Sequence, residues 1–198
     1  MEVSMEQVKE LRAKTGAGIL DCKNALVETG GDLEKAVKLL REQGKAKADK
    51  KALRTAREGL IFCYIHPPGK LGVMIEMNCE TDFVARNEEF QQLCKDIAMH
   101  IAAAAPRFVT REEIPADVLE REKEIFANQA RNEGKPEKVI EKIVEGRIAK
   151  FYEEACCLDQ PFVKDPDIKV GDLIKEKIAK TGENMVLRRF ARFVVGEE

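Results

Sequence analysis

Between residues 58 and 80 the apolar residues change their spacing from three or four to two. In "LGVMIEMNCE" (71–80), Leu71, Val73, Ile75, Met77 and Cys79 fall on one side and Met74, Glu76, Asn78 and Glu80 on the other. That alternation belongs to a strand with one buried and one partly polar face. The preceding run "GLIFCYIH" reaches it through "PPGK", a turn signal, so the two form an antiparallel hairpin. The closing run "NMVLRRFARFVVG" (184–196) is β-branched and aromatic enough to be a third strand returning to the hairpin. A sheet of about three strands cannot easily cover both its faces from one chain. Self-association is therefore expected.

Most of the rest is helical in period. Val8 and Leu11, then Cys22, Ala25 and Leu26, then Leu33, Ala36, Val37 and Leu40 mark three short helices, with Asp21 and Asp32 at N-cap positions and Gly16, Gly30 and Gly44 as stops. Residues 44–59, "GKAKADKKALRTAREG", are rich in alanine and basic residues; they suit a solvated connector or a nucleic-acid arm, but no aromatic residue interleaves for base stacking. After the hairpin, Phe90, Leu93, Cys94, Ile97 and Ile101 predict one helix from residue 82 to about 104, ended by Pro106. Two charged helices meeting at Gly134 and Pro136 predict a helical hairpin over about 116–157, with a bend or interruption at Gly146. "VGDLIKEKIAK" predicts a last helix, stopped by Gly182. The expected fold is α+β: a three-helix domain at 1–44, a basic connector at 45–57, and a core and dimerisation domain at 58–198 with helices over a small antiparallel sheet.

Composition narrows the chemistry. The 198 residues carry 35% charged side chains yet a net charge of only -2, so nothing demands nucleic acid. The N-terminus lacks an apolar signal core and no stretch is long and apolar enough for a membrane span, so a cytoplasmic protein with no membrane partner is expected. The six cysteines form no CxxC pair, and with two histidines give no zinc spacing; they read as reduced core thiols. Neither His66 nor His100 stands in a recognisable spacing to a nucleophile, and the glycines make no phosphate loop. No catalytic residue, metal or cofactor is expected, and the chain does not read as an enzyme.

One joint stands out. In "NCETDFVARNEEF" (78–90) a strand gives way to a helix, and an acid and an aromatic residue sit at the change. Counted back from Phe90, Phe83 falls on the buried stripe; the intervening Arg86 and Asn87 argue instead that the helix start projects past the core. Thr81 suits an N-cap and Asp82 the positive end of the helix. Ile19 and Leu20, after "TGAG", face the same choice between packing inward and forming an exposed patch.

The stretches "LRAKTGAGILDCKNAL" (11–26), "GDLEKAVKLLREQGKAKADKKA" (31–52), "NCETDFVARN" (78–87), "IAMHIAAAAP" (97–106), "GKPEKVIEKIVEGRIAKF" (134–151), "QPFVKD" (160–165) and "ENMVLRRFARF" (183–193) resemble, in order and over nearly the whole chain, the bacterial elongation factor Ts family in its short form. That resemblance implies a guanine-nucleotide exchange factor for the GTPase elongation factor Tu. It also implies a UBA-like fold for the N-terminal helices, which would dock on the partner's G domain. The positions matching Thr81, Asp82, Phe83 and Val84 would enter near the partner's magnesium and phosphate site and dislodge the metal. Arg12, Ile19, Leu20 and His66 match further partner-binding positions. A single body module implies a homodimer engaging two partner molecules. Two other readings stay open beside it: a ubiquitin-like or nascent-chain binding module on the N-terminal helices, and RNA binding through residues 45–57.

Overall fold

A computed structural model describes residues 3–197. The outer bounds 1 and 198 of the expected domains lie outside the described residues. The elements run α1 (Met5–Thr15), α2 (Ile19–Glu28), α3 (Leu33–Lys51), β1 (Glu58–His66), β2 (Leu71–Cys79), α4 (Asp82–Ala85), α5 (Glu88–Ala104), α6 (Ala116–Asn132), α7 (Glu137–Ala155), β3 (Pro161–Phe162), β4 (Asp165–Lys169), α8 (Val170–Thr181) and β5 (Met185–Val194). The fold is α+β, with a three-stranded antiparallel sheet in the order β1-β2-β5.

The alternation in β2 resolves as expected: Val73, Ile75, Met77 and Cys79 are buried, and Met185 and Leu187 of β5 join them. Ile61 and Ile65 of β1, Met74 of β2, Phe193 of β5 and Val195 beyond it are exposed. Gly59 is required where it stands, because its φ is +141° and a Cβ there would lie 2.1 Å from the Met77 carbonyl oxygen.

By density of internal contacts the chain divides into two units. The first comprises the described residues up to Leu60, with Met77–Leu93 and Asp172–Val186. Here α1, α2 and α3 enclose Val8, Leu11, Cys22, Ala25, Leu26, Ala36 and Leu40. Ser4 and Gln7 make a reciprocal capping box at the start of α1, and Gly16, at φ +68°, closes its end in the left-handed conformation. Two local expectations fail. Gly18 rather than Asp21 occupies the N-cap of α2, and Asp21 instead pairs with Lys47 at 3.0 Å. Gly44 does not end α3, which continues to Lys51: a Cβ at Gly44 would lie 3.3 Å from that of Ala179, so the missing side chain serves close packing against α8. Arg41–Glu176, Lys45–Asp172 and Asp49–Lys175 pairs at 2.8–2.9 Å line the same contact.

The second unit comprises Ile61–Glu76, Cys94–Gly171 and the residues from Leu187. The expected helical hairpin is α6 against α7, and α7 passes through Gly146 without a break. Ile114, Phe151, Ala155 and Cys156 form its core, with Phe108, Val118, Leu119, Phe126 and Tyr152 against them. A short antiparallel ribbon, β3 with β4, was not foreseen. His100 is fully buried; its Nε2 lies 2.9 Å from Gln160 Oε1, and its Nδ1 accepts from the Val163 N–H at 3.3 Å. Burial lowers its pKa, against a smaller opposing effect of the Gln160 hydrogen bond. This is a structural histidine.

Candidate functional site

The single helix expected from residue 82 is two. The four-residue α4 ends at Ala85, and Asn87 Oδ1 accepts from the Glu89 N–H at 2.8 Å, starting α5 afresh. The stripe of Phe90, Leu93, Cys94, Ile97 and Ile101 is buried as predicted, but the break cuts its register off from Phe83. Phe83 is 77% exposed, whereas its neighbour Val84 is 6% exposed. The turn is therefore seated by Val84 and Ala85 and presents the ring outward.

Four residues cannot hold themselves as a helix, since nucleation costs more than one turn returns. The fixing comes from outside it. Thr81, extended at φ -128° and ψ 153°, is the N-cap, and its Oγ1 accepts from the Val84 N–H at 3.4 Å. The same residue donates twice to one carboxylate: its N–H to Glu183 Oε2 at 3.1 Å and its hydroxyl to Glu183 Oε1 at 2.7 Å. Glu80 returns the bond, its Oε1 accepting from the Asn184 N–H at 2.6 Å. Asn184, itself buried, donates from Nδ2 to the carbonyls of Arg54 at 2.8 Å and Ala52 at 3.4 Å. The Cys79 thiol donates to the Thr81 carbonyl at 3.1 Å; burial, and after it the charge of Glu183, push its pKa up to about 11. It stays a neutral thiol.

Asp82, in the first turn, is exposed and pairs with Arg86 at 2.6 Å. An exposed pair of this kind stabilises little. What it leaves at the tip is a carboxylate beside an uncovered phenyl ring.

Arg12 is on the last turn of α1, and Ile19 and Leu20 on the first turn of α2, so the α1–α2 loop gathers all three at one end of the bundle. Ile19 is 52% and Leu20 70% exposed, which decides between packing and patch in favour of the patch. His66 belongs to the second unit, at the exposed end of β1, with Tyr64 Oη 2.9 Å from its Nδ1.

Cys22, Cys79, Cys94, Cys156 and Cys157 are buried free thiols, but Cys63 is exposed, on the outer face of the sheet beside Ile65, Met74 and Phe193. Of the basic residues in the 45–57 segment, Lys45, Lys47 and Arg54 face Asp172, Asp21 and Glu80, which removes much of the charge an RNA arm needs. Among the described residues no cluster of three or more His, Cys, Asp or Glu is placed to hold a metal ion, and no helix is long and apolar enough to cross a membrane.

Sequence reasoning missed Glu183, Glu80 and Asn184. Acids adjoin the joint in "ETD" and precede β5 in "EN", but nothing local ties Thr81 to a residue 102 positions away.

The family model described as "Elongation factor TS" matches residues 6–197. Elongation factor Ts of Geobacter sulfurreducens is 61% identical over 197 residues, covering 100% of this chain and 91% of that protein. Its namesake in Caldanaerobacter subterraneus subsp. tengcongensis is 58% identical over 195 residues, covering 98% of each. That of Fervidobacterium nodosum is 56% identical over 197 residues, and the alignment spans 100% of both chains.

Proposed function

Because the chain belongs to the elongation factor Ts family and so serves translation elongation, we propose that it is the guanine-nucleotide exchange factor of elongation factor Tu. It acts by binding, with no covalent step and no metal or cofactor of its own. The observation that carries this reading is the Phe83 ring, uncovered on a turn whose other apolar residue, Val84, is buried.

An exposed ring on a preset turn costs little ordering when a partner covers it. Burying a phenylalanine contributes about 2–3 kcal/mol, a factor of roughly 30–150 in an equilibrium constant. If the cleft that takes the ring exists only in a magnesium-free form of the GTPase, that energy is applied against nucleotide. By linkage, whatever factor the ring removes from nucleotide affinity, nucleotide removes from the affinity for this chain, so incoming GTP ejects it. Asp82 adds a negative charge at the tip, unfavourable beside bound phosphates. Thr81 and Val84 hold the turn.

Ile19 and Leu20 make the docking patch for the G domain, and Arg12 on its rim affects association rate more than lifetime. Tyr64 holds His66 through Nδ1, which leaves the other ring nitrogen, Nε2, to meet a polar group of the partner. A second copy of this chain covers the outer face of the sheet, where Cys63, Ile65, Gly72, Met74, Phe193 and Val195 line one shallow apolar groove. Each half of that homodimer engages one partner molecule.

Stopped-flow release of fluorescent GDP from elongation factor Tu tests the reading. Phe83→Ala should slow the stimulated release at least about tenfold, given the energy of one buried phenyl ring. Release at the unaltered rate would show that the ring does not act as a wedge.

A further inference from the structure

Two dipeptides far apart in sequence clasp each other at the base of the tip. The Glu183 carboxylate accepts both the N–H and the hydroxyl of Thr81, and the Glu80 carboxylate accepts the N–H of Asn184. Each acid thus binds the backbone of the residue following the other. The Thr81 hydroxyl, donating its O–H to Glu183, turns its lone pairs to the Val84 N–H, so the cap that starts α4 has its direction set by Glu183. Asp82 and Phe83 sit inside the loop that this chain of bonds closes. Asn184 then ties the clasp to the end of α3 through the carbonyls of Ala52 and Arg54.

We propose that Glu183 is a positioning residue for nucleotide exchange: it touches neither nucleotide nor metal, and it sets the direction in which the Thr81-capped turn presents Phe83. The proposal rests on the exchange reading above. Three points favour this role over a general contribution to folding. The bonds are charge-assisted and converge on a single residue. The turn they hold is too short to be rigid alone. Its seating otherwise comes from the buried Val84 and Ala85 and from the Cys79 thiol and Ala85 N–H, which both bond the Thr81 carbonyl and do not touch the capping hydroxyl.

The test measures maximal rate and half-saturating concentration for GDP release from elongation factor Tu with the full chain. The proteins compared are wild type, Glu183→Ala, Glu183→Gln, Phe83→Ala, and Phe83→Ala combined with Glu183→Ala. Glu183→Ala should lower the maximal rate about tenfold, as expected on losing a charge-assisted bond. Half-saturation should stay within about twofold, since the docking patch is untouched. Glu183→Gln keeps one acceptor oxygen and should recover part of the loss. The double variant should be no slower than Phe83→Ala alone, because Glu183 works through the ring. A wild-type maximal rate for Glu183→Ala, or a double variant slowed by the product of the two single effects, overturns the proposal. If Glu183→Ala does not fold, by circular dichroism, the Glu183→Gln rate and its combination with Phe83→Ala decide in its place. Slow Phe83→Ala with fast Glu183→Ala removes only the positioning role; fast Phe83→Ala removes the wedge reading beneath it.

Discussion

Phe83 and Val84 are neighbours on one helical turn with opposite surroundings, and truncating each in turn separates what holds the tip from what the tip does. Val84 is 6% exposed, so Val84→Ala takes two methyl groups out of a packed site. At about 0.8 kcal/mol for each, plus a share for the space left behind, the loss is about 2 kcal/mol. For a chain of this size that corresponds to a fall in Tm of about 4–8 °C. Phe83→Ala removes a side chain that is already 77% exposed, and alanine suits a helical position at least as well, so Tm should move by less than about 1 °C. Scanning calorimetry on both variants, with amide hydrogen exchange at Val84, measures the pair. A fall in Tm for Phe83→Ala as large as that for Val84→Ala would mean that the ring packs into its own chain, and the reasoning about the tip would be refuted.

Two other outcomes follow, one from the burial of His100 and one from the proposed homodimer. Burial lowers the pKa of His100 in the folded chain below its ordinary 6.5, so between those two values the unfolded state binds the extra proton. Stability should fall as the pH drops below about 6.5 in urea melts, and a pH slope left unaltered by His100→Gln would contradict this. Phe193→Glu places a charge in the apolar groove of the sheet and should shift sedimentation from dimer to monomer without lowering helix content. An unchanged dimer would mean that the second copy binds elsewhere.

What could be read in the sequence was whatever depends on neighbours in the chain. The period of β2 and the stripe of α5 follow from burying one face; the stripe stands residue for residue, and β2 does so from Val73 onward, Leu71 at its start being half-buried. Gly134 and Pro136 marked the turn between α6 and α7 for the same local reason. Gly44 shows the limit: a glycine that ends a helix and one that admits another helix look alike until Ala179 is seen opposite it. Phe83 was ambiguous because one short break at Arg86 and Asn87 shifts the register of everything before it. Cys63 reads as core with the other five cysteines, because a thiol with no partner in sequence usually packs inside; nothing local says that the face of β1 on which it stands is exposed. The Glu183 clasp pairs residues across 102 positions through polar atoms, and no periodicity records that.

The most direct measurement is of coupling. Calorimetric titration would give the affinity of this chain, and of Phe83→Ala, for elongation factor Tu with GDP bound and with nucleotide removed. The account predicts that Phe83→Ala weakens binding to the nucleotide-free partner by roughly 30–150-fold and leaves binding to the GDP-bound partner nearly as it was. Equal weakening of both would show that the ring adds only adhesion, and that nucleotide is expelled by some other part of the chain.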